Sequence, residues 1–254
     1  MVVLTEWLTN NVPEFYFRMV QQWRFNLFMR RNVPAAIFTY NKSLYKKKTV
    51  KNIIAFCEKG GKVIALHHNV SSVMLRRPEW LAFTDVDIKK GEKNPYPWSV
   101  IEGGDLFLLQ LNSEDKIMKG VVLEGDAPEL NQLAELQGLK PPENIHLEGD
   151  KRIVSFEIPP EIHAEVDALP RAPALVFKKS EYFINLVLNP NPNRELLFAA
   201  YFEDPESGRR YFSANGAWKL PRGEGVLYYF MPGHSTWDFT EEYCKILRNC
   251  LLEK

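Results

Sequence analysis

Apolar residues recur along this chain with two periods, and the changes of period predict its elements. Residues 2–6, VVLTE, open with Val2-Val3 and predict a short strand. From Phe15 to Met29 the apolar positions, Phe15, Met19, Trp23 and Phe28 among them, fall at helical spacing, with Pro13 just ahead. Residues 33–40, VPAAIFTY, predict a strand. Residues 48–60 place Val50, Ile53, Ile54 and Cys57 on one helical face, and Gly60-Gly61 ends that helix. Residues 62–68, KVIALHH, form an apolar run without alternation, as expected of a strand covered on both faces. Strand, helix and strand with short connections predict a parallel βαβ unit.

The middle is less regular. Residues 85–105 carry Gly91, Pro95, Pro97, Gly103 and Gly104 and read as a long loop. Strands are expected at 106–111 and 152–158, and a short helix at 127–137, stopped by Gly138. The tail divides into LLFAAYF (196–202), a DPESG turn (204–208), RRYFSANG (209–216), a turn around 221–225, VLYYFM (226–231) and a helix over 239–252. Pro and Gly in DPESG come in the order a hairpin loop uses.

Composition narrows the class. The chain has 254 residues and a balance of 32 Lys+Arg against 32 Asp+Glu. That neutrality argues against a nucleic-acid binder, which would show a basic face. No apolar stretch reaches the roughly 18 residues of a membrane span, and the start, MVVLTEW, has no leader pattern. Cys57, Cys244 and Cys250 form no CxxC pair, so the expectation is a reduced, cytoplasmic protein. The length suits a single domain over 1–254, with an irregular or inserted region at about 76–160.

Three segments could carry chemistry. GGKVIALHHN (60–69) ends a buried strand in His67, His68 and Asn69, at the sheet edge where open α/β sheets bind ligands. Histidine there serves as general base, ligand donor or metal ligand, or as a structural ring satisfied by backbone. YYFMPGHSTWDF (228–239) displays His234, Trp237 and Asp238 after a strand. Asp238 either orients His234 or caps the next helix together with Glu241. KKSEYF (178–183) offers Glu181 beside Tyr182.

These three pieces, in this order, resemble the ThuA-like (trehalose-utilisation) family, relatives of the class I glutamine amidotransferase fold. The carriers are GGKVIALHHN, the Glu181-Tyr182 pair and above all RGEGVLYYFMPGHSTWDF (222–239) before the last helix. The resemblance covers about half the chain, roughly 33–75 and 160–254. It implies an α/β, flavodoxin-like three-layer fold, with a mostly parallel sheet and helices on both faces. In glutamine amidotransferases the matching turn carries a nucleophilic cysteine, whereas here it reads Leu66-His67-His68. The amidotransferase H-x-E step matches His234-Ser235-Thr236, with Thr in place of Glu. Glutaminase activity is therefore not expected. The family usually opens with a full strand–helix–strand before the strand matching 33–40; only about thirty residues precede it here, room for roughly one βα unit, so the expectation is a sheet one strand short or an edge covered by another chain.

Three functions follow as expectations. The first is binding or transformation of a sugar or sugar derivative without a cofactor. Its catalytic candidates are His67, His68, His234 and Glu181. Asn69, Tyr182, Trp237 and Asp238 would bind substrate, with Trp218 as a further stacking ring. The second is a zinc-dependent enzyme using His67 or His68 with His234 and Glu181. The third is a non-catalytic, self-associating module, a homo-oligomer, motivated by the aromatic first helix. None of the three calls for nucleic acid or a membrane.

Overall fold

The computed structural model describes residues 2–15, 17, 33–39, 46–67, 69, 78–88, 100–111, 115–129, 131–133, 156–184 and 186–253. Its helices are α1 (Val2–Asn11), α2 (Lys47–Glu58), α3 (Pro78–Thr84), α4 (His163–Asp167) and α5 (Glu241–Leu252). Its strands are β1 (Ala35–Phe38), β2 (Lys62–Leu66), β3 (Val86–Ile88), β4 (Val100–Gln110), β5 (Gly125–Pro128) and β6 (Phe156–Ile158). They continue with β7 (Arg171–Phe183), β8 (Leu186–Leu188), β9 (Glu195–Glu203), β10 (Arg210–Arg222) and β11 (Gly225–Phe230). The protein is α/β with a large mixed sheet. Two compact units make up the chain: residues 1–84, 114–121 and 219–254, and residues 85–113 and 122–218. None of the described helices is long and apolar enough to cross a membrane.

The first unit is the expected βαβ frame. β1 and β2 pair in parallel, Ala35 opposite Lys62, and β11 pairs in parallel on the other side of β2, Val226 opposite Lys62. Val63, Ile64, Ala65 and Leu66 are all buried, which explains the unalternating run. α2 buries Val50, Ile53 and Cys57, positions i, i+3 and i+7 of one face. Gly225 opens β11 straight after the turn, and a Cβ there would lie 2.1 Å from the Cys57 carbonyl oxygen. Only glycine lets that turn close on the end of α2. α5 buries Tyr243, Ile246, Leu247, Cys250 and Leu251. Its last carbonyls, Cys250 and Leu251, accept from Lys62 Nζ at 3.0 and 2.8 Å, as does that of Glu253.

The chain start corrects one expectation. Residues 2–6 belong to α1, not to a strand. Leu4, Leu8 and Val12 are buried at i, i+4 and i+8, and that helical stripe outweighs the local β-propensity of Val2 and Val3. The helix expected from Phe15 to Met29 lies almost wholly outside the described residues.

The second unit corrects the expectation of a mostly parallel sheet. β4 pairs antiparallel with β7 and β9, β5 with β7, and β6 with β10. β3 and β8 form a separate antiparallel pair. The cause is connection length. β9 and β10 are joined by residues 204–209, where the Asp204 N–H donates to the Arg209 carbonyl at 2.9 Å and the Gly208 N–H to the Asp204 carbonyl at 2.8 Å. A parallel neighbour needs a crossover of about a dozen residues, and so tight a turn enforces antiparallel pairing. Phe107, Leu109, Ile158, Val166, Tyr201 and Phe212 build one buried cluster in this unit.

Within 76–160 the described residues are more ordered than expected. α3, β3 and the first half of β4 occupy stretches read as irregular or loop, and β4 begins at Val100 rather than Leu106. Gly103 and Gly104 sit at a register shift against β7, a bulge inside the strand rather than a loop. Of the helix expected at 127–137, Ala127 and Pro128 belong to β5 and 131–133 are helical. The rest of that prediction lies outside the described residues.

Candidate functional site

Parallel pairing brings the ends of β2 and β11 to one edge. Leu66 pairs with Phe230, and the His67 N–H donates to the Phe230 carbonyl at 2.8 Å. The ladder stops there, because His67 takes φ +52°. A left-handed residue other than glycine is uncommon and costs about 1–3 kcal/mol, and such strain concentrates at functional sites. Asn69 holds the turn. Its Nδ2 lies 2.7, 2.6 and 2.8 Å from the carbonyl oxygens of Phe38, Thr39 and Leu66. All three neighbours are acceptors, so the amide orientation is settled. Asn69 thus ties the end of β1 to the end of β2.

The second histidine arrives from the β11 side. After Phe230 the chain runs through Met231, Pro232 and Gly233 to His234. Gly233 has φ +125°, and a Cβ there would lie 3.1 Å from Leu66 Cβ, so glycine allows this loop to close on the end of β2. Asp238 then fixes His234 from both sides along the backbone. Its Oδ2 accepts from the Gly233 and Ser235 N–H groups, each at 3.1 Å, and the residue is fully buried. Ser235 and Asp238 form a reciprocal capping box on the short 3₁₀ turn Thr236–Asp238. The expectation that Asp238 caps the last helix therefore moves one step: Thr240 caps α5 through the Tyr243 N–H at 3.2 Å. The spacing Ser235-x-x-Asp238 was the signal for the inner cap.

The two imidazoles meet. His67 Nε2 and His234 Nδ1 are 3.3 Å apart, with ring centroids at 5.1 Å and planes at 72°. His67 Nδ1 lies 2.9 Å from the Met231 carbonyl oxygen. A carbonyl only accepts, so Nδ1 carries the proton and the neutral ring turns its Nε2 lone pair toward His234. Burial holds His67 in that neutral form, bringing its pKa down to about 4. The Met231 hydrogen bond and Asp238 pull the other way, and His234 adds to the lowering. The Met231 carbonyl is a partner that sequence reading missed, since backbone acceptors carry no residue signature.

The remaining candidates divide between the units. His68 lies outside the described residues. Trp237, beside His234 in sequence, is 62% exposed. Glu181 and Tyr182 belong to β7 in the second unit, and both are buried. Tyr182 stacks on Phe202 at 5.3 Å and 28°. Trp218 is fully buried, donates from Nε1 to Asn215 Oδ1 at 3.0 Å and carries the Arg194 guanidinium over its ring at 4.9 Å. All three thiols are buried. Burial pushes Cys57 and Cys244 up to about 12, and Cys250 well above the ordinary range.

No protein-family model and no curated protein matches the chain. A protein from Bacteroides uniformis described as ThuA-like is similar to it at 13% identity and TM-score 0.54, covering 100% of this chain and 83% of that one. Another so described, from Parabacteroides merdae, is similar at 15% identity and TM-score 0.49, covering 98% and 82%. A cytoplasmic protein from Salmonella typhimurium reaches 10% identity and TM-score 0.47, covering 98% and 84%. The chain shares its fold with the Bacteroides uniformis protein.

Proposed function

We propose that this is a ThuA-like protein that binds and transforms a small polyhydroxylated ligand, a sugar or sugar derivative, with His67 and His234 as its acid–base pair. The observation that carries the reading is the contact of the two imidazoles at 3.3 Å, with His67 in a left-handed turn at the carboxyl edge of parallel strands. That edge is the usual ligand position in sheets of this kind.

The pair has a directional logic. The Met231 carbonyl keeps the His67 proton on Nδ1. His67 Nε2 then accepts from His234 Nδ1–H, which leaves a lone pair on His234 Nε2. That nitrogen removes a proton from a ligand hydroxyl, or from a carbon next to a carbonyl, and returns it later. Trp237 supplies an exposed ring beside His234 for the C–H face of a sugar. Glutaminase chemistry is not part of the reading. It needs an accessible, activated thiolate, and the three thiols here are buried, with their pKa values raised.

The test is a panel of aldoses, ketoses and keto-sugar derivatives, followed by calorimetry for binding and NMR for turnover. His234→Asn is expected to lower turnover at least about 100-fold, the low end of what a positioned acid–base group contributes. Turnover unchanged in His234→Asn, or no member of the panel binding, rejects the reading.

A further inference from the structure

The His67–His234 contact suits a shared metal ion as well as a hydrogen bond. The two facing nitrogens are 3.3 Å apart, at the long end for a hydrogen bond. Two imidazole nitrogens bound to one tetrahedral zinc at about 2.0–2.1 Å each stand about 3.3 Å apart. The two nitrogens that face each other are also the right ones. His67 Nε2 carries a lone pair because Nδ1–H donates to the Met231 carbonyl at 2.9 Å. A backbone carbonyl on the far ring nitrogen is the outer partner that metal-bound histidines almost always have, and it sets the tautomer and the ring direction.

We infer that His67 Nε2 and His234 Nδ1 are two ligands of a zinc(II) site. The inference rests on the reading of this histidine pair as the functional centre; with zinc bound, His234 Nε2–H faces the ligand as a proton donor, and a zinc-bound oxygen takes over as the base. Binding needs no change in net protonation. The proton on His234 moves from Nδ1 to Nε2, and the freed Nδ1 lone pair goes to the metal. Both donors are fixed before the metal arrives. His67 is held by its left-handed turn. His234 is held by the Asp238 carboxylate on the N–H groups of the residues before and after it. Zinc accepts oxygen as readily as nitrogen, so positions the histidines leave open suit water and the paired oxygens of an α-hydroxy carbonyl compound. That narrows the proposed ligand class to keto-sugars and related hydroxy-ketones.

The experiment uses the full chain without a histidine tag, stripped with a chelator and dialysed. Zinc chloride is titrated by calorimetry, and cobalt(II) is added separately to read tetrahedral d–d absorption. One equivalent of zinc is expected, with affinity falling at least about tenfold in His67→Gln and in His234→Asn. Far-UV circular dichroism follows each variant. His234 is partly exposed, so His234→Asn decides the matter if His67→Gln fails to fold. Well under one equivalent bound, or zinc affinity unchanged in His234→Asn, overturns the site. The same stripped protein is run against the sugar panel. Sugar bound by protein that takes up well under one equivalent of zinc overturns the metal site and leaves the proposed function standing. Zinc bound with no sugar does the reverse.

Discussion

The two units differ in what their strands do at their ends. In the first, β1, β2 and β11 run parallel, so their carboxyl ends arrive together. The residues that follow β2 and β11 meet as His67 and His234. In the second, antiparallel neighbours alternate direction, and adjacent strands deliver opposite ends to any one edge. Several of its arginines bond to groups within the same unit. Arg209 bonds Glu157 at 2.7 and 2.8 Å, Arg210 bonds Asp167 at 2.7 Å, and Arg194 closes the β8–β9 loop on the Asn189 and Asp85 carbonyls at 2.7 and 3.0 Å. Parallel neighbours bring like ends of strands together, and antiparallel neighbours do not.

The largest expected effect tests whether the second unit owes its stability to its apolar cluster. Phe212 is almost fully buried in that cluster. Phe212→Ala should cost about 3–5 kcal/mol of unfolding free energy in urea. A cost under about 1 kcal/mol would mean that this cluster is not the core.

Next comes the buried histidine of the first unit. His67 gains its proton near 6.5 in an unfolded chain and at about 4 in the folded one. Between those values the unfolded state holds the extra proton, so stability falls as pH is lowered through that window and is fully present above it. At about 1.4 kcal/mol per unit, the loss from pH 6.5 to 4 is roughly 3 kcal/mol. His67→Gln in chelator-treated protein should flatten that slope. An unchanged slope in the variant would show that other groups carry it.

A smaller effect concerns the thiols. Cys57, Cys244 and Cys250 are buried and shifted upward. A disulfide reagent at pH 8 should label none of the three in native protein and all of them in urea. Rapid native labelling would contradict the burial on which the non-glutaminase reading depends. The smallest effect is at the surface of the second unit. The Arg209–Glu157 pair lies at half-exposed side chains, and Arg209→Ala should cost under about 1 kcal/mol in thermal denaturation. A larger loss would make surface pairing a main support of that unit.

Much of the first unit was legible in advance. The unalternating run of β2, the helical face of α2 and the glycines around β11 each follow from local periodicity or close approach, and those signals survive folding unchanged. The second unit was harder to read. β7 runs thirteen residues from Arg171 to Phe183, yet Pro173 and the Lys178-Lys179 pair interrupt its apolar pattern. Its partners β4 and β9 lie far away in sequence, and register with them is a long-range property. At the site, sequence reading named His67, His68, His234 and Glu181, and His67 and His234 lie in contact. It placed the Asp238 cap one turn too late and did not reach the contacts of Asn69 and Met231, which depend on which backbone groups come within hydrogen-bond reach.

The sequence by itself determined the parallel βαβ frame, the glycine-closed turns and the histidines at two strand ends. Local periodicity, backbone sterics and residue chemistry suffice for these. Only the tertiary structure decided that the sheet is mixed, that residues 2–11 form a helix, that Tyr182 and Trp218 are core rings, and that His67 and His234 face each other 3.3 Å apart. Each of these depends on partners distant in sequence, which no local pattern encodes.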